Sequence, residues 1–154
     1  MNGKKSLIVS LAISLGVGGL SALLSRNSMD IYDFINQPPL SPPGWVFPVV
    51  WTILYILMGI AAWLVWQEGT PVRREPLKLY AWQLVFNFFW TLIFFNAQRF
   101  GLALIWIVIL WCLILATMRA FRRVRPEAGK LMLPYLIWVS FAVYLNAGVW
   151  WLNR

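Results

Sequence analysis

Five long apolar runs constrain what this chain can fold into more than any other feature. They cover residues 6–25, 45–66, 79–97, 101–120 and 131–152. Each is about 20 residues long, the length at which an α-helix crosses the ~30 Å hydrocarbon core of a bilayer. The runs are continuous and do not alternate apolar with polar residues, which argues against a transmembrane barrel. The sequence therefore predicts an all-α integral membrane protein, a five-transmembrane-helix bundle forming one domain over residues 1–154 in contact with the lipid bilayer.

Composition and the first run agree with this prediction. Hydrophobic residues make up 61% of the chain and charged residues only 12%, whereas a soluble domain carries about 25% charged residues. The first run follows Lys4 and Lys5, as a signal peptide would, but it is longer than a signal peptide and ends in a poor cleavage site. We therefore expect it to be retained as the first helix.

The basic residues are distributed unevenly between the two ends of the predicted bundle. The net charge is +8, and ten of the 13 basic residues lie before the first run or in the second and fourth loops. By the positive-inside rule, this places the N-terminus in the cytoplasm and the C-terminus outside. Topology signals and contacts with anionic lipid explain these charges better than nucleic-acid binding, so no nucleic-acid partner is predicted. The three basic residues at the opposite end are Arg26, Arg99 and Arg154.

The chain has no histidine and one cysteine, Cys112. This content excludes a disulfide within the chain, a histidine-based catalytic triad, a histidine-ligated haem and the usual zinc sites. Cys112 is expected to be a small packing or membrane-facing residue. No metal site and no cofactor are predicted.

A proline-rich loop, residues 26–44, leads into the second run and contains Pro38, Pro39, Pro42 and Pro43. Proline stiffens the chain and ends helices, so this segment is interpreted as a rigid lid at the membrane surface. Its two carboxylates, three residues apart at positions 30 and 33, have a spacing that would suit a catalytic pair. Solvated loop charges, capping a short helix, are the simpler interpretation.

Polar and aromatic side chains share one face of the third predicted helix: Gln83, Asn87, Trp90, Thr91 and Phe94. Amides within a membrane segment are costly unless they are hydrogen-bonded, so these residues should point into the bundle. Either they tie helices together or they face a ligand. The neighbouring aromatic rings favour a ligand pocket.

Two other helices offer matching faces. Trp51 and Tyr55 are one turn apart on the second helix, and Trp138 and Ala142 are one turn apart on the fifth, with Tyr135 a turn before them. Side chains at this spacing lie on the same side of a helix. Packing in the bundle core and contact with a ligand are both open to these five side chains.

The first helix carries small residues every four positions, at Ser10, Ser14, Gly18 and Ala22. Such a stripe lets two transmembrane backbones approach closely. Packing within the bundle is the preferred interpretation, and a seam between two copies of the chain is the alternative.

Four stretches in the expected order resemble the translocator protein family, also called tryptophan-rich sensory proteins or peripheral-type benzodiazepine receptors. They are PPGWVFPVVWTILY (42–55), NFFWTLIFF (87–95), GLAL (101–104) and LPYLIWVSFAVYLN (133–146). Each stretch alone is a weak signal, but together they are specific, and the resemblance extends over nearly the whole chain. The sequence is most similar to a bacterial-type member.

The resemblance implies a five-helix bundle, commonly a homodimer, in a bacterial cell membrane, with a ligand pocket under the first loop. Members bind tetrapyrroles such as protoporphyrin IX, benzodiazepine- and isoquinoline-type drugs and, in animals, cholesterol. Bacterial members are linked to tetrapyrrole and stress regulation. The family's pocket positions correspond here to Tyr32, Trp51, Asn87, Trp90, Trp138 and Ala142. With Tyr55, Gln83, Phe94 and Tyr135 added from the same helix faces, the predicted ligand site has ten residues.

The chain departs from the family pattern at two places. Where the family often has Lys-Pro-x-Trp before the double proline, this chain has Gln37-Pro38-Pro39-Leu40, which removes one cation and one tryptophan from the lid. The animal cholesterol motif needs a basic residue soon after its tyrosine, but Tyr144 is followed by none before Arg154. High-affinity cholesterol binding is therefore not predicted.

The function predicted from these observations is a membrane receptor or carrier for planar hydrophobic ligands, chiefly tetrapyrroles, held among tryptophans and oriented by amides. A light-dependent enzyme that degrades porphyrin is one alternative, because the tryptophans of its photochemistry would correspond to Trp51 and Trp138. A tetrapyrrole transporter is another, although no inverted repeat or buried charge supports it.

Overall fold

The computed structural model describes residues 2–69 and 71–154, and over these ranges the chain is helical with no β-strand. Five long helices are each apolar and long enough to cross a membrane. This confirms the predicted all-α class and the five membrane helices. The helices are α1 (Gly3–Ser25), α2 (Ile31–Phe34), α3 (Val46–Trp66), α4 (Arg74–Thr91, continued by a π-helical turn, Leu92–Asn96), α5 (Phe100–Val124) and α6 (Pro126–Leu152).

Several helices extend beyond the apolar runs that predicted them. Helix α4 starts at Arg74 rather than near residue 79, and α5 runs to Val124 rather than 120. Only Arg125 separates α5 from α6, which starts with Pro126. A proline in the first helical turn is favourable because the amide hydrogen it lacks has no partner there. The apolar pattern ends at the hydrocarbon boundary, whereas the helices continue into the headgroup region with charged residues.

The long helices form a closed ring in the order α1, α3, α6, α5, α4. Short loops predict that consecutive helices are neighbours in the bundle, and this prediction is wrong for α3 and α4, which make little contact with each other. A short loop determines only which helix ends are joined, while side-chain packing selects the neighbours. Here α1 lies against both α3 and α4.

The small residues of α1 form its contact with α3. Ser10 donates a hydrogen bond to the Gly59 carbonyl (2.6 Å), and Ser14 donates to the Tyr55 carbonyl (2.8 Å). A Cβ at Gly59 would lie 3.1 Å from the Leu11 Cα, so the two backbones approach closely at this glycine. In the structure, this stripe therefore contributes to helix packing within one chain.

The bundle has two chemically different ends. At one end, called the basic end, α1 begins, α3 ends, α4 begins and α5 turns into α6. Arg125 lies there between Glu68 (3.6 Å) and Glu127 (3.7 Å), which ties the α5–α6 turn to the α3–α4 loop. The opposite end, called the lid end, carries residues 26–44, including the short helix α2.

Candidate ligand-binding cavity

A cavity of about 410 Å³ lies beneath the lid loop, bounded by side chains of the loop, α1, α3, α4 and α6. Cavities that hold small molecules are usually roughly 300–1,000 Å³, with apolar walls and a few placed polar groups. Because α3 and α4 are not packed together, the bundle stays open between them at the lid end. The volume and location suit a ligand of moderate size.

Six of the ten residues predicted for the pocket line this cavity. Trp51 and Tyr55 lie one above the other on α3, with ring centroids 5.8 Å apart. Trp90 and Phe94 form a similar pair at the end of α4, with centroids 5.3 Å apart. The remaining two come from the lid and from α6. The six are Tyr32, Trp51, Tyr55, Trp90, Phe94 and Ala142.

The π-helical turn at the end of α4 contributes to the same wall. It brings Phe94 and Phe95 together, with ring centroids 4.8 Å apart, and both line the cavity. Single π-turns within helices occur frequently at functional sites. The sequence pattern assumed a regular helix here and could not show that consecutive phenylalanines both reach the cavity.

Three predicted residues, Gln83, Asn87 and Tyr135, lie in a buried hydrogen-bond network and not in the cavity lining. Tyr55 donates to Asn87 Oδ1 (3.0 Å), Asn87 Nδ2 donates to the Tyr135 hydroxyl (2.7 Å), and Tyr135 donates to Gln83 Oε1 (2.7 Å). The network joins α3, α4 and α6. The two amides therefore act as ties between helices, one of the two roles open to them, and Tyr55 connects the network to the cavity wall.

Trp138, the tenth residue, lies outside the cavity lining. Its ring packs edge-on against Phe47 (centroids 5.8 Å), and Phe47 packs against Tyr32 (5.0 Å). Phe47 and Tyr32 line the cavity, so Trp138 is one layer behind that wall. The two tryptophans named for photochemistry thus differ in position: Trp51 borders the cavity and Trp138 supports it.

Several lining residues were not singled out from the sequence. Gly18 and Ala22 belong to the small-residue stripe of α1, and Ser21 lies between them. Asn146 accepts a hydrogen bond from Trp90 Nε1 (3.0 Å) and donates one to the Phe100 carbonyl (2.9 Å). An amide in an apolar helix is the same signal that identified Asn87, so Asn146 could have been found in that way.

The lid is fastened to the end of α6 by backbone and side-chain contacts. Asn153 Oδ1 accepts from the Asn36 amide (3.0 Å), and Asn153 Nδ2 donates to the Asn36 carbonyl (2.8 Å). Tyr144 donates to the Pro39 carbonyl (2.6 Å). A Cβ at Gly148 would lie 2.5 Å from the Pro38 ring, so only glycine leaves room for the loop there.

Tyr32 organises the lid from inside. Its hydroxyl donates to the Pro42 carbonyl (2.8 Å), and its own carbonyl accepts from Gln37 Nε2. Burial, reinforced by the negative charge of Asp33, raises the pKa of the Tyr32 hydroxyl above its ordinary value. The hydroxyl therefore remains a donor at neutral pH. Asp30, expected as a helix cap, makes no side-chain bond to α2.

Comparisons with known proteins identify the family. Residues 8–152 match the TspO/MBR family. The chain is 40% identical to the "Tryptophan-rich sensory protein" of Cereibacter sphaeroides over 147 residues, which are 95% of this chain and 90% of that protein. It is 38% identical over 144 residues to the "Translocator protein" of Homo sapiens, covering 92% of this chain and 85% of the relative. "Protein CrtK" of Rhodobacter capsulatus is 40% identical over 140 residues, covering 88% and 85% of the two chains.

These matches span nearly all of every chain compared and include all the elements that surround the cavity. The chain belongs to the TspO/MBR family.

Proposed function

We propose that this protein is a membrane receptor or carrier that binds planar hydrophobic ligands, chiefly tetrapyrroles such as protoporphyrin IX, in the cavity beneath the lid. Drugs of the benzodiazepine and isoquinoline type are expected to occupy the same space. Ligand binding would serve tetrapyrrole or stress regulation. The names of two relatives, a sensory protein and a translocator protein, support a sensory or carrier role in the membrane.

The observation that carries the proposal is the aromatic lining of the cavity beneath the lid. Trp51 and Trp90 stand on different helices and both border the space. Indole and phenol rings offer large rigid faces, and an offset aromatic pair contributes about 0.5–1.5 kcal/mol beyond its buried area. On α4 and α6 the wall offers only two polar side chains besides the indole of Trp90, those of Thr91 and Asn146, as in pockets where apolar burial supplies affinity and a few polar atoms orient the ligand.

Orientation and assembly form part of the same proposal. The ten basic residues of the basic end support a cytoplasmic N-terminus and an outward-facing lid. Family resemblance supports a homodimer in a bacterial cell membrane. A reporter fused after Arg154 that is active only in the periplasm or cell exterior would support this orientation, and one active only in the cytoplasm would contradict it.

The function can be tested by filling the cavity. Ala142 lies on its wall and is 5% exposed, so Ala142→Leu places extra methyl groups in the ligand's space. We expect affinity for protoporphyrin IX, measured by its absorbance shift and by tryptophan quenching in uncharged detergent, to fall at least roughly tenfold, the loss produced by about 1.4 kcal/mol.

A matched substitution controls for indirect effects. Ala81→Leu makes the same chemical change at an exposed position of α4 and should leave affinity unchanged. Thermal unfolding of both variants verifies that they fold. Equal protoporphyrin binding by folded wild type, Ala142→Leu and Ala81→Leu would show that the ligand does not occupy this cavity.

A further inference from the structure

The cavity lining has an unusual charge content. Among the described residues that line it, the only acidic side chains are Asp30 and Asp33, both on the lid, and no lysine or arginine is present. A Cβ at Gly44 would lie 3.8 Å from Asp33 Oδ1, which places this carboxylate over the loop segment that covers the cavity. The mouth of the cavity therefore carries negative charge.

Within the described residues, no basic side chain lines the cavity or forms an ion pair with either carboxylate. The lid end has three arginines, Arg26, Arg99 and Arg154, and none of them lines the cavity. The Arg154 guanidinium lies 3.6 Å from the Trp151 ring centroid, on the outside of α6. Within residues 2–69 and 71–154, the three ion pairs involve Glu68, Glu75 and Glu127 at the basic end, and neither aspartate of the lid.

The walls favour positive charge for a separate reason. Eight aromatic side chains border the cavity, contributed by the lid, α3 and α4. The face of an aromatic ring carries partial negative charge and attracts cations, most strongly at tryptophan. Trp51 and Trp90 supply two such rings inside the cavity. The carboxylates at the mouth and the ring faces inside the cavity thus both favour positively charged ligands.

We propose that Asp30 and Asp33 bias the cavity by ligand charge: among planar ligands with one ring system they favour uncharged and cationic forms, and they weaken without preventing the binding of dicarboxylates such as protoporphyrin IX. The inference rests on the proposed function and specifies its ligand class. Apolar burial supplies the affinity common to all these ligands, and the two aspartates supply the discrimination.

The exposure of the two carboxylates determines how large a change in ligand affinity to expect. Both aspartates are solvent-exposed, so each interaction with a ligand charge is screened by water and salt. Two such interactions together should change affinity by roughly three- to tenfold at low ionic strength, and by less at high salt.

Three tetrapyrroles with one ring system test this proposal: protoporphyrin IX with two carboxylates, its uncharged dimethyl ester, and a diamide that ends in two ammonium groups. Affinities are measured for wild type and Asp30→Asn/Asp33→Asn in uncharged detergent. The double substitution should tighten binding of the dicarboxylate and weaken binding of the diammonium ligand, each roughly three- to tenfold. The diester should change by less than about twofold, because it carries no charge. Comparing variant with wild type for each ligand removes differences in micelle partitioning.

Glu75→Gln is the matched control, because it removes one carboxylate from the exposed surface of the basic end, and it should change none of the three affinities. If the diester binds wild type but the double variant shifts neither charged ligand, the charge inference is overturned and the proposed function stands. If none of the three ligands binds wild type, the proposed function fails and the charge inference with it.

Discussion

Gly18 of α1 lies directly against the ring of Tyr55 on α3, so closely that a Cβ at Gly18 would overlap the ring edge. The Tyr55 backbone carbonyl accepts a hydrogen bond from Ser14, and its hydroxyl donates to Asn87. Both residues of this contact also line the cavity. One close approach therefore determines helix spacing, anchors the buried network and shapes the ligand's space.

Gly18→Ala should destabilise the protein. The added methyl group must displace the Tyr55 ring, and overpacking of this kind costs typically about 1–3 kcal/mol, against a gain of up to about 1 kcal/mol in helix propensity. We expect a lower midpoint of thermal unfolding in detergent. Gly16→Ala is the matched control, since a Cβ at Gly16 would have no atom within 4 Å, and its midpoint should be unchanged or slightly higher. Equal midpoints for the two variants would contradict the overlap.

Asn87→Leu should disrupt the buried network. It leaves the Tyr55 hydroxyl without its acceptor, and an unsatisfied buried donor costs about 1–3 kcal/mol. In that background, Tyr55→Phe should be less damaging than in wild type, with a coupling energy of about 0.6 kcal/mol or more, the size found for hydrogen bonds between membrane helices. A double-mutant cycle measured by unfolding in detergent gives this quantity. Tyr144→Phe, outside the network, should show no coupling to Asn87→Leu.

Asn153→Ala should loosen the lid. It removes both hydrogen bonds to the Asn36 backbone, and each bond contributes a net stability of about 0.5–1.5 kcal/mol. We therefore expect amide hydrogen exchange in residues 35–41 to become faster by roughly threefold or more. Ligand release should accelerate as well. Asn36→Ala is the control: it keeps both of these bonds, which use backbone atoms of Asn36, and loses only the longer bond (3.4 Å) from its side chain to the Leu152 carbonyl, so exchange should rise by less than in Asn153→Ala. Equal exchange in the two variants would show that the Asn153 bonds do not hold the lid.

Alkaline pH should weaken the lid through Tyr32. Its pKa is raised in the folded protein, so the folded state binds the proton more tightly than the unfolded state does. The stability from this hydroxyl is therefore fully present below about pH 10, the ordinary tyrosine pKa, and is lost as pH rises above it. The phenolate can no longer donate to the Pro42 carbonyl.

Binding of the uncharged porphyrin diester measures this effect, since the ligand itself has no ionised carboxylate. Wild-type affinity should decline above about pH 10, and Tyr32→Phe should show weaker binding at neutral pH with a smaller decline. A Tyr32→Phe profile parallel to that of wild type would assign the decline to another group.

Much of the candidate site was accessible from the sequence because its residues follow helical spacing. Trp51 and Tyr55, or Trp90 and Phe94, share a face at any bundle geometry. Which layer a residue occupies is a different question. Asn87 and Trp138 lie on the expected inner faces, yet one belongs to a network between helices and the other lies behind Phe47. The depth of a side chain within the bundle depends on how neighbouring helices are rotated and crossed. The sequence of one helix alone does not specify this arrangement.

By itself, the sequence determined the number of membrane helices, their apolar extent and the distribution of charge between the two ends, since hydrocarbon thickness and hydropathy act on each segment independently. Tertiary structure alone decided the ring order that separates α3 from α4 and the fastening of the lid to Asn153. It also decided that, among the described residues, two aspartates and no cation border the cavity. These features arise from contacts between residues far apart in the chain, where side-chain packing selects one arrangement among several that short loops permit.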